Sequence, residues 1–185
     1  MTVIGTVGLP GSGKGEAAAV AREAGIPVVT MGDVIREACR ERGVDPAENH
    51  GEVAKQLREE GGPDAIAVAS LPLIEDARER SDAVLVDGLR SPAEIERFVS
   101  AFGDDFLLVA IGAPFDLRAD RLLERGRDDT DLDREALRER EERELGFGMD
   151  EVMARADVRI ENTDSLDAFR ARVRELLDDP NVVCG

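Results

Sequence analysis

The stretch of sequence with the clearest chemical meaning is a glycine-rich loop that ends in a lysine. Gly8-Leu9-Pro10-Gly11-Ser12-Gly13-Lys14 matches the pattern GxxxxGK, whose backbone N–H groups wrap around phosphate oxygens. A helix N-terminus after the loop adds partial positive charge, and the Lys14 ammonium adds a full charge beside the β- and γ-phosphates. The pattern predicts binding of a nucleotide, with ATP as the expected cofactor. The residues expected to contact it are Gly8, Leu9, Pro10, Gly11, Ser12, Gly13, Lys14, Gly15 and Glu16.

The residue after the lysine departs from the common form of this motif. Gly15 stands where a Ser or Thr hydroxyl usually ligates magnesium, and the Glu16 carboxylate would oppose the phosphates rather than replace that hydroxyl. A dinucleotide-binding loop is the alternative, because residues 11–13 begin a GxGxxG pattern and Asp33 follows about 20 residues later. The third glycine of that pattern would be residue 16, so the alternative is rejected.

A carboxylate at the end of a later apolar segment is the expected metal ligand. Phosphoryl transfer depends on positioning and on neutralising the charge of the transferred group, which calls for a metal ion. Asp87 follows the apolar residues 83–86 and would hold Mg²⁺ directly or through water. The competing interpretation of Asp87-Gly88 is an ordinary turn at the end of a strand.

Arginines are the expected second source of positive charge. Arg36 and Arg90 would hold the phosphate of an acceptor in bidentate fashion. A lid over the donor phosphates would contribute Arg125, Arg127, Arg140 and Arg143. The competing interpretation is that these side chains are solvated partners of the many carboxylates, because Lys14 and Lys55 are the only lysines among 24 basic residues.

Three polar residues have roles that the sequence leaves open. Asp33 precedes Arg36 by three residues and would share a helical face with it. It could act as general base toward a hydroxyl acceptor, or it could cap the helix, while a phosphate acceptor would need no base. Asn162, after the last predicted strand, could approach adenine or form a turn. His50 is expected in an exposed loop or at a helix start.

Short apolar segments alternate with helical ones along the whole chain. The predicted strands are residues 2–8, 26–30, 83–86, 106–111 and 157–160, and three helical stretches fill about 33–80, where Pro72 should end or kink the third. Strands that are apolar on both faces indicate a parallel sheet covered on both sides. The prediction is an α/β, three-layer P-loop NTPase fold with a five-stranded parallel sheet and helices on both faces. It forms one domain over 1–185, with a helical acceptor-binding insertion at about 32–80 and a short lid at about 125–132.

Four segments resemble adenylate kinases. Residues 8–15 resemble the GxPGxGKG loop of that family, in which glycine also follows the lysine and magnesium is held largely through water. Residues 30–36 resemble its GDxxR segment, and residues 118–129 its approach to the lid. Residues 86–90 resemble the family's DGxxR-like strand end, although the usual proline before the arginine is missing.

The chain is more similar still to an archaeal family of adenylate-kinase-related, dephospho-CoA-kinase-like P-loop proteins. The segments that carry this resemblance are 31–37, 87–91, 143–148 and 156–162. The resemblance implies an ATP-dependent kinase that uses Mg²⁺ and transfers the γ-phosphate to a nucleoside monophosphate or to dephospho-CoA. The alternative is a regulatory switch that binds and hydrolyses ATP without a small-molecule acceptor.

Composition and charge exclude several other classes of function. The formal net charge of −17 would repel nucleic acid and anionic membranes. A single histidine, with Cys39 and Cys184 far apart, leaves little for a Ser-His-Asp triad, a zinc site or a disulfide framework. No apolar run approaches the roughly 20 residues needed to span a bilayer, and no secretory signal is visible. We therefore expect a cytoplasmic protein, either monomer or homodimer, with small-molecule partners. The excess of carboxylates and the use of arginine are typical of proteins from salt-loving cells.

Overall fold

A five-stranded parallel sheet forms the centre of the fold. The computed structural model describes residues 1–125, 133–146 and 148–179. The strands lie in the spatial order β2-β3-β1-β4-β5, and every neighbouring pair is parallel. In chain order they are β1 Thr2–Val7, β2 Val28–Thr30, β3 Ala83–Asp87, β4 Phe106–Gly112 and β5 Val158–Glu161. The predicted fold class is confirmed.

Helices connect the strands and occupy the predicted intervals. They are α1 Lys14–Glu23, α2 Met31–Glu41, α3 Pro46–Gly61, α4 Ala65–Arg78, α5 Pro92–Phe102, α6 Phe115–Arg125, α7 Arg134–Gly146, α8 Met149–Ala154 and α9 Leu166–Asp178, with a short 3-10 turn at Gly103–Asp105. Pro72 does not end its helix, because α4 continues for six more residues. The buried face of α4 offsets the cost of the lost hydrogen bond, since Ile66 and Ile74 are fully packed on either side of the proline.

The two faces of the sheet are covered by different helices. Alternation along β1 sends Val3 to one face and Ile4 to the other, and both are completely buried. Val3 shares its core with residues of α2, α4 and α5, including Ile35, Ile74 and Phe98. Ile4 shares the second core with residues of α1 and α9. These include Ala17, Ala18, Phe169 and Val173. The three-layer arrangement follows from these two cores.

The carboxyl edge of the sheet brings together the two motifs that carry chemistry. Strand β1 leads directly into the loop of residues 8–13, and the register pairs Thr6 with Asp87, the last residue of β3. Gly13 precedes α1 with φ 119°, and no described side chain caps the helix there. The free N–H groups at the start of α1 therefore face the same edge as the Asp87 carboxylate.

Within the described ranges, no helix combines the length and the apolar character required to cross a membrane.

Candidate nucleotide-binding site

Two buried side chains hold the glycine-rich loop from the β4–β5 side of the sheet. The side-chain amide of Asn162 donates to the Ser12 carbonyl at 2.8 Å. The Arg118 guanidinium donates to the Pro10 carbonyl at 3.1 Å and to the Ala113 carbonyl at 2.8 Å. Asn162 and Arg118 are 5% and 4% exposed, so the loop is anchored by groups that water does not reach.

Close packing explains why the loop needs glycine at three positions and not at a fourth. A Cβ atom on Gly8 would lie 2.5 Å from the Ile111 carbonyl oxygen. A Cβ atom on Gly13 would lie 2.4 Å from Nδ2 of Asn162, and the φ of 119° disfavours any side chain. A Cβ on Gly11 would lie 2.6 Å from the Arg118 carbonyl oxygen. A Cβ on Gly15 would meet no described atom within 4 Å. The glycine after the lysine is therefore not required by the backbone.

Lys14 lies against the loop that it follows. Its ammonium donates to the carbonyl of Gly8 and, at 3.3 Å, to that of Leu9. Burial lowers the pKa of the Lys14 ammonium, and Asp87 and Glu144 oppose this shift by stabilising the charged form. Lys14 thus sits among the loop carbonyls with two carboxylates nearby, where a phosphate-binding cation is needed.

The Asp87 carboxylate is oriented by its neighbour across the sheet. The hydroxyl of Thr6, which is 2% exposed, donates to Oδ1 of Asp87 at 3.0 Å. Among the described residues there is no cluster of three or more His, Cys, Asp or Glu that could hold a metal by itself. Asp87 therefore suits a hard cation such as Mg²⁺ whose other ligands are phosphate oxygens and water. Asp87 remains our predicted magnesium ligand.

A cleft of about 210 Å³ lies over the loop and is lined by charged side chains from α1, β3, α7 and the connection that follows β3. Besides the loop, its lining includes Lys14, Asp87, Arg90, Arg140 and Glu144. We name it the phosphate cleft. Nε of Arg140 lies 3.5 Å from Oε1 of Glu144, and Nη1 of Arg90 lies 3.9 Å from the same oxygen. The structure thus brings four predicted charged residues together beside the predicted loop residues and adds a glutamate.

Glu144 is a site residue that sequence reasoning missed. Its only local signal is the i,i+4 spacing from Arg140 on a helix, which is a common surface pattern. Glu144 is nevertheless 9% exposed, because α7 packs this side chain over the loop.

A second cleft, of about 630 Å³, opens on the other side of the loop. Asn162 and Glu16 both line it. Arg121 donates to the backbone carbonyl of Asn162 at 2.9 Å. Asn162 therefore has two roles, because its side-chain amide holds the loop at Ser12 while the residue also lines this cleft. Glu16 forms an ion pair with Arg170 of α9. The cleft has room for the nucleoside part of a donor, and the approach of Asn162 to adenine stays a prediction.

A third cleft, of about 220 Å³, lies between α2, α3, α4 and the end of β3. We name it the acceptor cleft, because it borders the helical segment that the sequence predicts to bind an acceptor. His50 lines it from the second turn of α3 and is half-buried there. The predicted exposed loop is therefore wrong, whereas the predicted position near a helix start agrees with the structure. Arg58 and Arg90 also line it, and Arg58 was not singled out from the sequence. Arg90 is therefore shared by the phosphate cleft and the acceptor cleft.

A buried glutamate fixes the backbone of Arg90. Oε2 of Glu94 accepts a hydrogen bond from the Arg90 N–H at 2.7 Å, and Oε1 lies 3.7 Å from the Arg58 guanidinium. Burial raises the pKa of the Glu94 carboxyl, and the Arg90 N–H and the Arg58 charge counteract that shift. Glu94 therefore holds both arginines at the acceptor cleft.

The remaining predicted residues lie away from the clefts or outside the described residues. Asp33 and Arg36 share a helical face as predicted and form an exposed ion pair at 2.5 Å, but neither lines a cleft described above. The cap of α2 is Thr30, whose hydroxyl accepts from the Asp33 N–H at 3.1 Å. Arg143 is exposed and donates to a carbonyl of its own helix at 3.3 Å.

The predicted lid falls mostly on residues that the structure does not describe. Arg125 is the last residue of α6, while Arg127 and positions 126–132 lie outside the described residues. The lid and the roles of Arg125 and Arg127 in it therefore stay predictions.

Comparison with known proteins places the chain in a family. Residues 7–138 match the family described as AAA domain. A UPF0200 protein of Halobacterium salinarum is 60% identical over 96% of this chain and 93% of its own length. One from Methanosarcina barkeri is 46% identical over 97% and 96%. A UPF0200/UPF0201 protein of Archaeoglobus fulgidus is 48% identical over 96% of this chain and 55% of its own length.

Two solved structures share the fold at low sequence identity. TT1252 from Thermus thermophilus is 22% identical with a TM-score of 0.58, covering 96% of this chain and 97% of its own. Shikimate kinase from Acinetobacter baumannii, solved in complex with shikimate, is 17% identical with a TM-score of 0.60, covering 98% and 94%. At these identities the likeness establishes the three-layer fold alone.

Proposed function

The chain belongs to the UPF0200 family and carries an AAA domain, and from that premise we propose that it is an ATP-dependent kinase. Its acceptor would be a nucleotide or nucleotide-like molecule, either a nucleoside monophosphate or dephospho-CoA. The observation that carries the proposal is the position of Arg90, which lines both the phosphate cleft and the acceptor cleft. A residue shared by the two clefts can contact a phosphoryl group as it passes from donor to acceptor.

Each residue of the phosphate cleft has a defined part in this reaction. The loop N–H groups and the Lys14 ammonium would bind the β- and γ-phosphates of the donor. Mg²⁺, when bound, neutralises part of the phosphate charge, and Asp87 would hold it directly or through water. Arg90 and Arg140, which line the same cleft, would also contact the transferred group. The buried anchors Asn162 and Arg118 would keep the loop in place during transfer.

The chemistry of the acceptor decides whether a general base is needed. A monophosphate acceptor is already an ionised nucleophile, and Arg90 would hold it. Arg36 would join Arg90 only if α2 moved, because Arg36 lies outside the acceptor cleft. A hydroxyl acceptor would need a carboxylate within about 3 Å of the hydroxyl. Asp33 could supply that carboxylate only if α2 moved, because Asp33 lies outside the acceptor cleft in this structure. Its ion pair with Arg36 would also have to open. The formal charge of −17 supports small-molecule partners over nucleic acid or membranes.

A panel assay tests the kinase proposal. Purified protein in about 1 M KCl would receive MgATP with each nucleoside monophosphate or with dephospho-CoA, because screening at that salt suits a highly acidic chain. We expect phosphoryl transfer to at least one acceptor, and loss of that transfer in Lys14→Ala. Hydrolysis of ATP without transfer to any acceptor would contradict the proposal and favour the switch.

A further inference from the structure

A buried carboxylate inside an anion-binding cleft is the feature of this site that phosphate binding leaves unexplained. Glu144 lines the phosphate cleft together with the loop, Lys14 and Asp87. It is 9% exposed, so water does little to screen its charge. A triphosphate entering the cleft would meet two carboxylates, Glu144 and Asp87, as well as the cations that attract it.

The partners of Glu144 hold it less tightly than ion pairs elsewhere on the same helix. Glu141, one turn earlier on α7, pairs with Arg118 at 2.5 Å. Glu144 lies 3.5 Å from Arg140 and 3.9 Å from Arg90, which is beyond the usual length of a charge-assisted hydrogen bond. Both arginines also line the phosphate cleft and are the groups that an incoming phosphate would attract. Once they contact phosphate, the charge of Glu144 is less compensated and repels the ligand.

This repulsion depends on the charge of the ligand. Free ATP is a strong polyanion, whereas its magnesium complex carries two fewer negative charges. The penalty from Glu144 therefore falls mainly on the metal-free form. We propose that Glu144 is a specificity-determining residue that makes the phosphate cleft select the magnesium complex of a nucleotide over the free nucleotide. The inference rests on the proposed binding of ATP, but not on transfer to an acceptor.

Binding measured with and without metal tests the inference directly. Calorimetry would give the Kd of ATP in excess Mg²⁺ and in excess EDTA for the wild-type chain, Glu144→Gln and Glu142→Gln. We expect the ratio of the EDTA to the Mg²⁺ Kd to fall about tenfold in Glu144→Gln, mainly through tighter binding of free ATP. Glu142 is exposed on the same helix, so its variant removes the same charge away from the cleft and should keep the wild-type ratio.

Several outcomes of these binding measurements would overturn the inference. An unchanged ratio in Glu144→Gln, or equal weakening of both forms, would mean that Glu144 only orients Arg90 and Arg140. A wild-type chain that binds both forms equally, or binds neither, would refute it without any variant. If Glu144→Gln does not fold, Glu144→Asp, which retains the charge, must keep most of the wild-type ratio. A chain that shows the expected ratio but phosphorylates no acceptor would refute the kinase proposal and leave this inference standing.

Discussion

The phosphate loop and the helical segment that borders the acceptor cleft are built in opposite ways. The loop is short and is held by two buried side chains, Asn162 and Arg118, which bond to its carbonyls. The segment from α2 to α4 carries most of its charges on the surface, in exposed pairs such as Asp33 with Arg36 and Lys55 with Glu59. The proposed donor side therefore depends on fixed geometry, whereas the proposed acceptor side can change its charged contacts at low cost.

The largest expected effect is the loss of folding at low salt, which should begin in the helical segment before it reaches the phosphate loop. The helix α3 carries Glu48, Glu52, Glu59 and Glu60 against only Lys55 and Arg58, so weaker screening raises its self-repulsion. We expect the chain to lose folding or solubility below about 0.5 M KCl. Hydrogen exchange during dilution should show α3 losing protection before β1 and the loop.

A melting temperature that does not depend on salt would contradict that prediction. Simultaneous loss of protection in α3 and β1 would agree with the predicted loss of folding at low salt. It would contradict the predicted difference in stability between the helical segment and the loop.

Substitution of two neighbouring glycines tests the fixed geometry of the loop. Gly13→Ala places a Cβ 2.4 Å from Asn162 at a φ of 119°, so we expect a loss of about 2 kcal/mol or more in the free energy of unfolding, and weaker binding of MgATP. Gly15→Ala meets no described atom within 4 Å and should change stability by less than about 1 kcal/mol. Thermal melts and calorimetry would measure both. Equal effects of the two alanines would show that the loop is not held as described.

Substitution of two arginines tests the acceptor side. Both Arg36 and Arg90 are predicted from the sequence to hold the acceptor, but only Arg90 lines the acceptor cleft, while Arg36 is paired with Asp33. We expect Arg90→Ala to raise the KM for the acceptor about tenfold or more, and Arg36→Ala by about threefold. Steady-state kinetics with the acceptor from the panel would measure both. A larger effect from Arg36 would mean that α2 moves to bring it into the cleft.

The sequence predicted the parts of the site whose geometry is local. The loop, Lys14 and the strand-end carboxylate Asp87 follow from residues that are consecutive along the chain, and the structure places them at one edge of the sheet. Glu144 and Arg58 could not be predicted, because they reach their clefts only through the packing of α7 and α3 against other elements. Neither residue type nor spacing distinguishes them from the many exposed charges on the same helices.

Pro72 and His50 are two further positions at which the local sequence pattern did not predict the structure. A proline within a helical pattern predicts a helix end, yet buried packing carries α4 past it. A lone histidine in a polar stretch predicts exposure, yet α3 turns His50 toward the acceptor cleft. In both cases tertiary packing outweighs the local preference.

Binding of MgATP to the two single-lysine variants tests the central claim most directly. Lys14 lies among the loop carbonyls in the phosphate cleft, whereas Lys55, the only other lysine, is exposed on α3 beside Glu59. In about 1 M KCl, calorimetry should give saturable binding for the wild-type chain and for Lys55→Ala with the same Kd. Lys14→Ala should weaken binding about 100-fold. Equal binding by the two variants, or no binding by the wild-type chain, would contradict the assignment of this cleft to nucleotide phosphates.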